Sequence, residues 1–125
     1  MNIKSLVISG IILYLIDMVY ISNIKGKYNE MITNIQGSEM KTRILPAIIC
    51  YIFLIFGVYY FIIKGNRKPI DAFYLGVVIY GVYNSTAYAL IDNWSKEIAI
   101  MDTIWGGVLF YSTTIICQKF LKLNN

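Results

Sequence analysis

Histidine is absent from this chain, cysteine occurs twice, and only 14% of its 125 residues are charged. The first absence removes the side chain most often used as a general base near neutral pH. Together with the scarcity of thiols it leaves no ligand set for a zinc, di-iron or haem site, so neither metal nor cofactor is expected. Cys50 and Cys117 fall in different apolar stretches. An up-and-down arrangement would hold them on the order of 15–25 Å apart, beyond disulfide reach. They read as buried free thiols acting as small hydrophobes. The shortage of charge is the most informative lack. A soluble domain carries about 25% charged residues, so most of this surface faces something other than water. The net charge of +4 comes from Lys and Arg lying between the apolar stretches. They form no basic stripe, which speaks against a nucleic-acid partner.

What is abundant is apolar sequence: 58% of the chain, with 11 tyrosines. It is gathered into four stretches, at about residues 6–24, 44–63, 72–91 and 98–117. Each is about 30 Å long as a helix, the thickness of a hydrocarbon core. In lipid a single span must be helical, because only a helix satisfies its own backbone groups. The expected fold is therefore all-α: residues 1–125 as a single transmembrane domain, an antiparallel up-and-down bundle of four helices. The first stretch is too long for a signal-peptide core and no small-residue cleavage site follows it. Pro46 falls in the first turn of the second stretch and Pro69 just before the third, where a missing N–H costs little.

The connections are short. Residues 64–71 form a tight basic turn and residues 92–97 a shorter one, which makes consecutive helices antiparallel neighbours. Residues 25–43 are the longest connection. Tyr28, Met31, Ile32 and Ile35 recur there at helical spacing, which predicts either a short amphipathic segment on the membrane surface or a structured connector. The side shared by both termini carries Lys4, Lys64, Arg67, Lys68, Lys119 and Lys122, and the other carries Lys25, Lys27, Lys41, Arg43 and Lys96. The cluster in the tight second connection favours both termini on the cytoplasmic side.

Antiparallel order turns residue counting into a depth gauge. Asp17 lies seven residues from the end of the first stretch and Asn84 seven from the end of the third; Tyr51 lies seven into the second and Asp102 four into the fourth. All four then fall in one layer about 6–10 Å below the same membrane face. Convergence has a physical motive, since a charge in hydrocarbon costs about 2.5–3.5 kcal/mol on insertion scales and partners reduce that cost. Candidate donors to the two carboxylates are Tyr20, Tyr51, Asn84, Thr86, Tyr88 and the Trp105 indole. No Lys or Arg lies at that depth. A short pattern also occurs twice: LIDMVY around Asp17 and IMDTIW around Asp102, each an aspartate followed three residues later by an aromatic with a polar tip. Asp17 with Tyr20, and Asp102 with Trp105, therefore share a helix face.

Plainer readings compete. Gly81, Ser85 and Ala89, like Gly106 and Gly107, suit close helix packing, and the tyrosines suit packing and the interfacial belt. The aspartates themselves serve either as a functional pocket or as structural polar glue.

At these residues the chain resembles a known group. YGVYNSTAYALIDNW followed by MDTIWGGVL is similar to the uncharacterised membrane-protein family DUF2177, and LIDMVY and the four-span layout agree with it. The resemblance covers nearly the whole chain and is most specific over residues 80–109. It implies a small four-helix membrane protein and no particular activity. Asp17, Asp102, Trp105 and Gly106 fill corresponding family positions, and Trp94 fits the aromatic of the third connection. Asn84 stands where the family commonly has an acidic residue, Ala87 where it has Asn, and Tyr20 where it has Trp. A chemistry needing three carboxylates would not survive those changes, whereas a binding pocket would.

The function expected from all this is a non-enzymatic intramembrane polar pocket for a small amphipathic ligand or lipid group. Its ligand-binding residues would be Asp17, Tyr20, Tyr51, Asn84, Tyr88, Asp102 and Trp105, with no catalytic residue assigned. Three alternatives stay open. They are a transporter or proton-relay subunit using Asp17 and Asp102, a structural or assembly protein, and, least favoured, a membrane-embedded lipid-modifying enzyme. The partners expected are the bilayer, such a ligand, and further copies of the chain.

Overall fold

The computed structural model describes residues 2–123 and holds four helices in sequence. They are α1 (Ile3–Gln36), α2 (Ile44–Val58), α3 (Pro69–Leu90) and α4 (Lys96–Leu123). A single π-helical turn, Tyr59–Ile63, continues α2 without a break. The expected all-α bundle is what forms, and no strand occurs among the described residues. Three of the helical segments, Ile3–Gln36, Ile44–Ile63 and Lys96–Lys122, are long and apolar enough to cross a membrane. The 22 residues of α3 are long enough, but its tyrosines, Asn84, Ser85 and Thr86 dilute its apolar character.

The residue pattern is inverted relative to a protein in water. Large apolar side chains such as Val19, Phe53, Val78 and Ile104 are exposed, whereas Ser9, Asp17, Asn84, Asp102, Thr113 and Thr114 are buried. Lipid as solvent accounts for both halves. It gives no reason to hide a methyl group, and a strong reason to hide a polar one among helices. The apolar core joins Leu13, Val58, Tyr59, Leu109, Phe110 and Cys117. Cys117 is buried, with its thiol 3.7 Å from the Ser9 hydroxyl; Cys50, against expectation, is exposed on α2.

Residues 25–36 do not form a separate surface segment. They continue α1 to a length of 34 residues, about 51 Å. Gly26 alone weakens a helix by only about 1 kcal/mol relative to alanine, and nothing else before Gly37 interrupts it. Gly37 adopts the left-handed conformation (φ 78°) and turns its N–H back to the Thr33 carbonyl at 2.9 Å, a glycine C-cap. The face expected to be amphipathic packs inward. Met31 is buried, and its sulfur accepts the Ser95 N–H at 3.2 Å from the connection between α3 and α4.

The closest helix pair is α3 with α4. Gly76, Gly106 and Gly107 let their backbones meet. A methyl group on Gly76 would overlap the Gly106 carbonyl, and one on Gly107 would come within 2.7 Å of the Phe73 ring. The expected stripe of Gly81, Ser85 and Ala89 is not this contact. Gly81 faces Thr103 at ordinary distance, and Ser85 and Ala89 are exposed. The buried stripe is Ala72, Gly76, Tyr80 and Asn84, so the other set lies about 100° round the helix.

Candidate functional site

Each acidic side chain reaches the interior because it falls on its helix's buried stripe. On α1 that stripe is Ser5, Ser9, Leu13 and Asp17, at four-residue spacing. On α4, Asp102 precedes Gly106 by one turn, and both are buried. The glycine contact therefore sets how near Asp102 comes to Asn84. Asp17 is 6% exposed, Asp102 3% and Asn84 1%.

Neutral donors surround both carboxylates. The Tyr51 hydroxyl donates to Asp17 Oδ2 at 2.6 Å, and the Trp105 indole N–H to Asp17 Oδ1 at 2.9 Å. The Tyr20 hydroxyl donates to Asp102 Oδ1 at 3.1 Å. Asp102 Oδ2 accepts the Asn84 amide at 2.8 Å and the Tyr83 hydroxyl. The Asn84 amide also donates to the Tyr80 carbonyl at 2.9 Å, while its own Oδ1 has no hydrogen-bond partner among the described residues. Neither aspartate has a Lys or Arg partner among the described residues; the ion pairs there are Lys27–Glu97 and Arg67–Asp71, in exposed positions.

The repeated aspartate–aromatic pattern is used crosswise. Tyr20, on the helix of Asp17, serves Asp102; Trp105, on the helix of Asp102, serves Asp17. The two rings lie stacked between them, with centroids 4.5 Å apart and planes 4° from parallel. Trp105 and the Asn84 amide nitrogen can only donate, so the oxygens they touch must act as acceptors.

Beside this network is a cavity of about 300 Å³, within the size range of small-ligand pockets. All four helices contribute to it. Asp17, Tyr20, Tyr51, Tyr83, Asp102 and Trp105 supply its polar side, Ile21, Ile24 and Leu54 an apolar wall, and Lys25 and Met40 complete it.

Of the seven residues singled out from sequence, six are hydrogen-bonded, in two groups that meet at the Tyr20–Trp105 stack: Asp17 with Tyr51 and Trp105, and Asp102 with Tyr20 and Asn84. Tyr88 is not. It is 51% exposed and lines a separate groove with Ser85, Lys96 and Thr103. Four-residue steps drift about 40° round a helix each time, and by Tyr88 the stripe begun at Ala72 has turned out of the bundle. Thr86 bonds its own helix at the Val82 carbonyl. Sequence reasoning missed Tyr83, whose signal was its i, i+3 relation to Tyr80 and adjacency to Asn84. Tyr28, Cys50 and Tyr80, which also line the cavity, were missed as site residues. No group of three or more His, Cys, Asp or Glu stands close enough to hold a metal among the described residues.

A family model described as "Predicted membrane protein (DUF2177)" matches residues 2–118. No curated protein and no solved structure matches the chain.

Proposed function

Since the chain belongs to the DUF2177 family of predicted membrane proteins, we propose that it is a single multi-pass domain with an intramembrane pocket, binding a small amphipathic ligand or lipid group. In this reading all four helices cross the bilayer, α3 included, and both termini face the cytoplasm beside Lys64, Arg67 and Lys68.

The observation that carries the proposal is the cavity bordered by both buried carboxylates. Polar glue alone would close such a network on itself. A carboxylate has about four acceptor sites, and Asp17, which borders the cavity, uses two of them. The apolar wall of Ile21, Ile24 and Leu54 suits an acyl or alkyl chain. A binding role also needs less than catalysis would, since it asks only that these groups be held in place.

The test is retention of ligand or lipid by purified protein, read by native mass spectrometry. Ala47→Phe fills the cavity from α2 without touching either carboxylate and should abolish retention. Asp17→Ala and Asp102→Ala should weaken it. Unchanged retention in all three folded variants would reduce the aspartates to a structural role.

A further inference from the structure

We infer that the head group held at Asp17 and Asp102 is cationic, an ammonium carried on an apolar chain. This inference rests on the pocket reading above and specifies its ligand.

Charge is the first argument. Two buried carboxylates share the cavity and neither has a cation partner among the described residues. The one basic side chain on the cavity is Lys25, exposed and eight residues beyond Asp17, about 12 Å further along α1. An anionic head group would meet like charge in a low-dielectric site. A neutral one would leave the carboxylates uncompensated.

The donor inventory is the second. The hydrogen bonds to the carboxylates come from neutral donors, Tyr20, Tyr51, Tyr83, Asn84 and Trp105 among them. Trp105 Nε1 and Asn84 Nδ2 fix at least one oxygen of each aspartate as an acceptor. What remains at the cavity is acceptor capacity. A complementary ligand brings N–H donors or positive charge.

The rings are the third. Tyr20, Tyr51, Tyr80, Tyr83 and Trp105 line the cavity. Aromatic faces attract an ammonium by about 0.5–2 kcal/mol each, and cages of such rings are the usual means of holding quaternary ammonium. The same chemistry has two sources, a free lipophilic amine and the head group of a zwitterionic phospholipid.

The experiment uses the full chain in maltoside detergent, in a Trp94→Phe background that leaves Trp105 as the single tryptophan, excited apart from the tyrosines. Decyltrimethylammonium, decyl sulfate and decyl glucoside are titrated separately. The ammonium should bind about tenfold or more tighter than either of the others, as one or two cation–π contacts predict. Asp17→Asn combined with Asp102→Asn should erase that preference and leave the glucoside unaffected. The unsubstituted selectivity series decides alone if that variant does not fold. Equal affinities for the three head groups overturn the cationic ligand while leaving the pocket; binding of none removes the pocket itself. Native mass spectrometry after incubation with phosphatidylcholine or phosphatidylglycerol separates the sources. Retained phosphatidylcholine, displaced by the ammonium, supports the lipid source. Ammonium binding without retained phosphatidylcholine supports a free amine. Preference for phosphatidylglycerol overturns the inference.

Discussion

The Tyr20 ring lies parallel over the Trp105 indole at 4.5 Å, and each sends its polar hydrogen to the aspartate on the other's helix. The stack is thus the point where α1 and α4 are tied by two hydrogen bonds and a ring contact at once. Tyr20→Phe keeps the stack and loses the bond to Asp102, which should destabilise the fold by about 1–3 kcal/mol. Tyr20→Leu should cost about 0.5–1.5 kcal/mol more, the worth of the aromatic pair. A double-mutant cycle with Trp105→Leu, read by reversible unfolding in detergent, should return a coupling of at least about 0.5 kcal/mol. Strict additivity would mean that the two rings stabilise the helices independently.

Tyr51 is the hydrogen-bonded link from α2 to the buried carboxylates. Tyr51→Phe should destabilise by about 1–3 kcal/mol, because it removes a buried hydrogen bond and leaves part of Asp17 unsatisfied. Tyr88→Phe should change neither stability nor ligand retention, since Tyr88 lies outside the cavity. Thermal unfolding and native mass spectrometry of the two variants side by side check both expectations.

The glycine contact gives an asymmetric pair of substitutions. Gly76→Ala places a methyl group on the backbone of α4, where no side chain can yield, and should cost about 1–3 kcal/mol. Gly81→Ala meets only the Thr103 methyl at 3.4 Å and should be neutral or stabilising by up to about 1 kcal/mol through helix propensity. Unfolding midpoints measured in the same detergent decide this. Equal effects would place the helix contact elsewhere.

Continuity of α1 is tested at Gly26. Proline there should cost about 3 kcal/mol, as in any helix interior, and speed amide exchange in the turns on either side. A residue in a loop would accept proline with little effect, so an unchanged exchange pattern would return residues 25–36 to a separate segment.

Depth was legible in the sequence and rotation was not. Counting from the ends of four apolar stretches placed Asp17, Tyr51, Asn84 and Asp102 at one level, and the structure hydrogen-bonds Tyr51 to Asp17 and Asn84 to Asp102, with the Tyr20–Trp105 stack bridging the two pairs. That worked because a fixed rise per residue makes sequence distance a ruler. Which way a side chain points depends on accumulated turning and on where backbones touch. Tyr88 was misjudged for the first reason, and the Gly81 stripe for the second. Gly76, which sets the α3–α4 approach, stood inside an unremarkable apolar run. Tyr83 was missed because its length lets it reach Asp102 although nearly half of it is exposed. The end of α1 was not legible from the apolar run, which stops near Ile24, because the helix continues through polar residues to the Gly37 cap.

α1 is a rod much longer than a bilayer's interior is thick. A hydrocarbon core takes up about 30 Å of such a helix, and about 20 Å exceeds it. The surplus is not idle: its last turns hold Met31 against the Ser95 N–H. One unbroken helix thereby braces the α3–α4 connection at one end while it carries Asp17 and Tyr20 to the carboxylate layer.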